Sequence, residues 1–171
     1  MRAIMLVFRL LSLVGTASCA SSLAQSDIAR DTVYDVGFPV MWAALRSAVA
    51  ERYRIAYEDE SSRLIVSCWV NEGVASGTRD DPTVTMTRLG ARLNGGPAWS
   101  VEVVSLRVYV RSGNASRPGR YMPYRENRVY VAVQDRLRGR PHSMGAPPPE
   151  DSSLLMLAAS APNGSCPPSF H

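Results

Sequence analysis

A chain of 171 residues, 46% of them hydrophobic, with a net charge of +4, is long enough for one folded domain and too apolar to be wholly disordered. It contains no lysine, so all 19 basic residues are arginine; this bias fits a GC-rich bacterial genome, with selection for guanidinium chemistry as the alternative. Two histidines and three cysteines, scattered singly, argue against a clustered zinc site or a Cys-His nucleophile pair, and the absence of GxxxxGK[ST] and GxGxxG runs removes those nucleotide cradles.

The N-terminus reads as an export segment over residues 1–18. Arg2 and Arg9 form a basic start, Leu10 to Val14 an apolar run, and small residues follow. That run is too short for a mature membrane span, which needs about 20 apolar residues. Gly15-Thr16-Ala17-Ser18-Cys19 resembles a bacterial lipobox, with Cys19 as the lipidated residue, although Thr16 stands where leucine is usual. The competing reading cuts after Ser22-Leu23-Ala24, before Gln25. Both take the mature chain out of the cytoplasm, and residues 19–31 then serve as a polar tether. With Cys19 lipidated, Cys68 and Cys166 remain. An oxidising periplasm would let them pair, whereas Cys68 on a core face could equally stay a free, small hydrophobe.

Thr32 to Val36 reads as a brief strand, turned by Gly37-Phe38 into a helix with Pro39 at its first position, where a missing N–H costs nothing. Phe38 cannot cap that helix. Trp42, Leu45, Val49 and Tyr53 recur at three- and four-residue steps and share one helical face. Ile55 and Tyr57 begin a strand, Glu58 to Ser62 make a polar turn, and Leu64, Val66, Cys68 and Val70 alternate as the return strand. Asn71 to Asp81 reads as a loop. Thr83 to Leu93 is a strand in which Gly90 marks a place for a bulge. Asn94-Gly95-Gly96-Pro97 signals a hairpin, and Ala98 to Arg111 returns. In that return the apolar phase changes at Val103-Val104, which predicts a bulge or bend. Ser112 to Tyr124 is a loop. Arg125 to Leu137 fits a helix through Val129, Val133 and Leu137, or a strand through Val129, Val131 and Val133; Glu126 near its start and Arg136 near its end favour the helix. Proline and serine make 139–171 a disordered tail, in which Leu154 to Ala159 is an apolar island too short to stand as a helix.

The fold class is therefore α+β over residues 32–138: an antiparallel sheet of about four to five strands packed by one long helix and a C-terminal helix, in the order β-α-β-β-β-β-α. Trp42, Trp69 and Trp99 fall on core faces of this arrangement. The alternative for them is an apolar helix-sheet cleft that takes a ligand.

The run VYDVGFPVMWAALRSAVAERYRI, followed by RLIVSCW, resembles the opening of small bacterial envelope lipoproteins with a helix-grip domain, the group containing the BamC-type lipoproteins. Tyr34, Phe38, Trp42, Glu58 to Glu60 and Trp69 stand at matching places, and the resemblance covers roughly residues 32–137. It is a pattern of core positions without an active-site signature. It implies a helix-grip fold and an envelope lipoprotein.

Charge is the remaining signal. Between residues 107 and 140, Arg107, Arg111, Arg117, Arg120, Arg125, Arg128, Arg136, Arg138 and Arg140 face only Glu126 and Asp135. The first six of these are the candidate surface for an anionic partner, against the plain alternative of a solubilising face. Export argues against nucleic acid and leaves an envelope protein, or an anionic envelope lipid or polymer. Glu58-Asp59-Glu60 and Asp80-Asp81 read as solvated turns without calcium-loop spacing, and no cofactor is implied. The expected function is a non-enzymatic lipoprotein on the periplasmic face of the outer membrane, an adaptor that binds another envelope component. The alternative is a periplasmic carrier for an apolar or amphipathic small ligand. An enclosed apolar cavity would favour the carrier, a filled core with an exposed basic or apolar patch the adaptor.

Overall fold

The computed structural model describes residues 30, 32–96, 98–112, 114–116, 118–120, 123–137, 140–141, 152–164 and 166; the expected export segment 1–18, the expected lipidation site Cys19 and Arg117 lie outside them. The elements are β1 (Thr32–Asp35), α1 (Phe38–Ala50), β2 (Ile55–Asp59), β3 (Leu64–Ser67), β4 (Val70–Gly77), β5 (Pro82–Gly95), β6 (Ala98–Arg111), β7 (Asn114–Ala115), β8 (Gly119–Arg120), α2 (Pro123–Leu137), β9 (Arg140–Pro141) and α3 (Ser152–Ser160). Among the described residues this is an α+β fold with one large antiparallel sheet and three helices. The sheet has nine strands there, three of them two residues long, and so exceeds the expected four to five. Its order is β2-β3-β5-β6-β1-β9, with β4 on β5 and both β7 and β8 on β6. Among the described residues no helix is long and apolar enough to cross a membrane.

The centre is the β5-β6 hairpin, whose register runs unbroken from Thr83 opposite Arg111 to Gly95 opposite Trp99. The bulge expected at Val103-Val104 is therefore not there. The apolar phase changes because the cover changes. Trp99, Val101 and Val103 point to the face under α1 and α2, while Val104 and Leu106 point to the opposite face, under α3. Gly90 makes no bulge either. Its missing side chain lets α3 approach, since a Cβ there would lie 2.5 Å from Ala158 Cβ.

α1 starts at Phe38 without a side-chain cap, because its N-cap is Gly37, and Val40 and Met41 bond back to the Gly37 carbonyl at 3.1 Å. Aromatic packing holds this end instead: Phe38 stacks on Trp42 at 5.9 Å and tilts against Trp99 at 5.5 Å. Trp99 in turn donates its Nε1–H to the Val36 carbonyl at 2.9 Å. Met41, Trp42, Leu45 and Val49 face inward, and with Ile65, Leu89, Leu93, Val129 and Val133 they fill the layer between helices and sheet. Fully buried side chains of this size each contribute about 1.5–3 kcal/mol. Two polar groups knit α2 to β6 inside this layer. Tyr130 Oη accepts the Val103 N–H, and the fully buried Glu126 carboxylate accepts the Ser105 N–H, both at 2.9 Å. Thus 125–137 is helical and the strand alternative falls.

Two segments that read as irregular in the sequence are structured. The pattern over 71–81 predicts a loop, yet most of it belongs to β4, which follows β3 along the same side of β5. Every β4 residue is exposed, so no face needs apolar side chains and no period-two signal is written in the sequence. Register shifts between Asn71 and Gly73 and between Val74 and Ser76, with Gly73 at φ 107°, twist this edge and blunt it against further strand pairing.

The second correction concerns the tail. Ser152–Ser160 is a helix, and its Leu154 and Ala158, both fully buried, pack on Leu64, Val66, Val104 and Leu106. Cys166 is joined to Cys68 by a disulfide across a sequence separation of 98. A nine-residue helix is marginal alone, and tertiary packing plus this staple supply what propensity lacks. Arg88, buried at 3% exposure, locks the end of α3: Nε donates to Ser67 O at 2.7 Å, Nη1 to Ala158 O and Ala161 O, and Nη2 to Pro162 O. The helix C-terminus is electron-rich and welcomes a cation. Trp69, expected under α1, instead lies on this α3 face with the Arg88 guanidinium 5.3 Å from its ring. Burial lowers the Arg88 pKa to about 10.

Candidate functional site

α1 closes with a tight turn in which the amides of Arg52 and Tyr53 both bond to Val49 O, at 3.2 and 2.9 Å; Glu51 and Arg52 are exposed, while the half-buried Tyr53 packs against the core. α2 begins close by. Its Tyr124, Arg125 and Arg128 recur at three- and four-residue spacing along one flank, beside the face that buries Val129, Tyr130 and Val133. The first residues of β4 form the third wall. Between these ends lies an open groove of about 410 Å³, lined by Arg52, Arg125 and Arg128, by Glu51 and Glu72, and by Tyr53, Tyr124 and Val70.

The floor of the groove is a fixed polar cluster. Arg125 Nη1 meets Glu72 Oε1 at 2.8 Å and donates to Thr87 Oγ1 at 3.1 Å, while the Thr87 hydroxyl donates to Glu72 Oε1 at 2.7 Å. The hydrogen bond from Arg125 holds the Glu72 carboxyl below its ordinary pKa, and the same bond raises that of the guanidinium. Glu51 at the rim is taken by Arg136 at 2.7 Å, whose hydrogen bond lowers its pKa. Burial raises the Tyr53 phenol, so its hydroxyl stays protonated.

The six candidate arginines divide. Arg125 and Arg128 line the groove, Arg128 with its guanidinium 5.7 Å from the Tyr124 ring centre. Arg107 stands opposite Thr87 in the β5-β6 register, and so on the same sheet face as the groove floor, with its guanidinium 5.0 Å over Tyr109. Arg111 lies at the far end of β6 in an ion pair with Asp81 at 2.8 Å. Arg120 pairs through its backbone with Leu106 in β8. Arg117 lies outside the described residues. The acidic residues of the first half of the chain thus meet arginines of the second: Asp81 with Arg111, Glu72 with Arg125, Glu51 with Arg136. These pairs offset three of the nine arginines between residues 107 and 140.

Comparison with known proteins gives no match to a family model and no matching sequence among curated proteins. The site must therefore be judged on its own chemistry. The acidic turn at Glu58 to Glu60 is internally used, because Asp59 accepts from Ser61 Oγ and Ser62 Oγ at 2.7 and 2.6 Å, and these bonds, the Ser62 one foremost, lower its pKa to about 2. Among the described residues no three His, Cys, Asp or Glu side chains converge as a metal would need. What the groove offers is guanidinium forks, tyrosine walls and one exposed valine. Arg52 and Glu72 carry no mark in the sequence: Arg52 follows the last apolar residue of α1 without any distinguishing pattern, and Glu72 lies in the segment that reads as a loop.

Proposed function

We propose that this chain is a non-enzymatic lipoprotein of the bacterial cell envelope, a BamC-like helix-grip module held on the periplasmic face of the outer membrane through Cys19, which binds another envelope component. The observation that carries this reading is how the cysteines divide. Cys68 and Cys166 are joined, and such bonds persist in oxidising compartments and are rare in the cytosol. Their pairing leaves Cys19 as the odd cysteine of three, at the end of an apolar N-terminal run, where lipidation would consume the thiol. The filled layer between α1, α2 and the sheet favours an adaptor over a carrier, because a carrier needs an enclosed apolar space there. The open groove supplies a polar surface on which a partner can dock.

The test is to express the chain with and without Cys19→Ala in a bacterial host and to fractionate the envelope after feeding a clickable fatty acid. The parent chain is expected to carry label and pellet with membranes, and the variant to lose both. Label-free protein, or membrane association unchanged by Cys19→Ala, would overturn the anchor.

A further inference from the structure

We propose that the groove between the ends of α1 and α2 binds a phosphate group, carried on an anionic lipid head group. The chemistry follows from the groove itself; the lipid as source rests on the envelope reading above. Both glutamates in the groove are already engaged at short range, Glu72 by Arg125 at 2.8 Å and Glu51 by Arg136 at 2.7 Å. Arg52 meets Glu51 only at 3.6 Å, with both side chains nearly half exposed, and Arg128 lies over an aromatic ring. An anion entering the groove therefore finds both carboxylates already paired with arginine.

Arginine forks match phosphate oxygens in pairs. Arg125 is held in place by Glu72 and by Thr87, itself 2% exposed, so part of the ordering cost is met before binding. Tyr53 and Tyr124 offer ring faces and hydroxyls, and Val70, 44% exposed, gives a glycerol stem an apolar edge. A volume of about 410 Å³ accommodates a head group, while the open mouth leaves acyl chains outside.

Position agrees with this source. Arg30, the last described residue of the tether, donates to Asn127 Oδ1 at 3.2 Å and lies 6.0 Å from the Tyr130 ring centre, on the other flank of the same helix. Cys19 and Arg30 are joined by 11 steps of chain, which reach at most about 40 Å. A lipid on Cys19 would thus hold the groove within one short tether of the head groups.

The experiment uses the full chain in neutral detergent micelles and measures modification of individual arginines by phenylglyoxal, read by peptide mass spectrometry. Glycerol 1-phosphate is expected to slow modification at Arg52 and Arg128 and to leave the exposed Arg79 unchanged, with glycerol without effect. In vesicles, phosphatidylglycerol mixed into phosphatidylcholine should protect the same two residues, and Arg52→Ala with Arg128→Ala should weaken binding to the head-group probe roughly 30-fold, about five-fold for each arginine. Protection by inorganic phosphate and glycerol 1-phosphate without protection by anionic vesicles would overturn the lipid as source. Equal rates at Arg52 and Arg128 in every condition would overturn the site. Neither result bears on Cys19, and a failed anchor would leave the micelle measurement standing, so the two readings fail separately.

Discussion

Removing the Cys68–Cys166 bond is the most direct probe of how the C-terminal segment is held. The bond closes a sequence separation of 98 residues, and a loop near that length confines the unfolded chain by up to about 4.7 kcal/mol, with measured values commonly nearer 3. The described elements and the disulfide span residues 32 to 166, and at about 2.1 cal/mol/K per residue a domain of that span has an unfolding entropy of roughly 0.28 kcal/mol/K. The expected fall in Tm is therefore roughly 11–17 °C. Circular dichroism melts of the parent with and without reductant, and of Cys68→Ser with Cys166→Ser, should place the reduced parent and the double variant together and the oxidised parent above both. Near-ultraviolet spectra below the transition should be nearly unchanged, because Leu154, Ala158 and the Arg88 bonds still seat α3. A Tm that moves by less than about 3 °C on reduction would refute the reasoning, since the staple would then not be closing the loop in the folded state.

Leu154→Ala, at a fully buried site, should cost about 2–4 kcal/mol in urea unfolding. Gly90→Ala should destabilise, although Gly→Ala in an ordinary strand gains up to about 1 kcal/mol, because the new methyl group meets Ala158 Cβ; a second change, Ala158→Gly, should restore much of the loss, and a double-mutant cycle measures the coupling. At low pH, Asp59 contributes stability that is complete above its unfolded value of 3.8 and is lost as pH falls toward about 2; Asp59→Asn should flatten the acid limb of a Tm-versus-pH curve in that window. Tyr130 behaves with the opposite sign. Burial raises its phenol from 10.0 to about 12, so its contribution is complete below the lower value and is lost as pH rises toward the upper one. Tyrosinate absorbance should show it among the last tyrosines to ionise.

α1 is legible in the sequence because Pro39 fixes its start and Trp42, Leu45 and Val49 face one covered side, a pattern that local chemistry and burial write together. The β5-β6 hairpin is legible from Asn94-Gly95-Gly96, where Gly95 and Gly96 take φ of 83° and 126° as such a turn requires. β4 is not, because a strand exposed on both faces leaves no apolar period-two record, and the pairing of Glu72 with Arg125 and Thr87 carries no local signal. α3 escapes for a different reason. Its nine residues become helical by packing on Leu64, Val66, Val104 and Leu106, which lie far outside any local window. Gly90 is visible but ambiguous, since a bulge and a close helix approach both ask for a missing side chain. The groove is half visible. Arg125 and Arg128 carry a charge signal, but the pairing of Arg125 with Glu72 depends on β4, and Arg52 finds its place only where α1 and α2 end side by side.

The order in which the two halves of the α3 face would leave the cytoplasm has a consequence of its own. On the proposed export route translocation proceeds from the N-terminus, so Leu64, Val66, Val104 and Leu106 emerge before the residues that cover them, 152–166. Until the last stretch follows, a nascent intermediate presents a bare aliphatic strip and an unpaired Cys68 thiol, the kind of surface that aggregates or cross-links with strangers. Biogenesis by that route would call for shielding by a holdase, and for a thiol oxidant that acts only once the C-terminus has crossed.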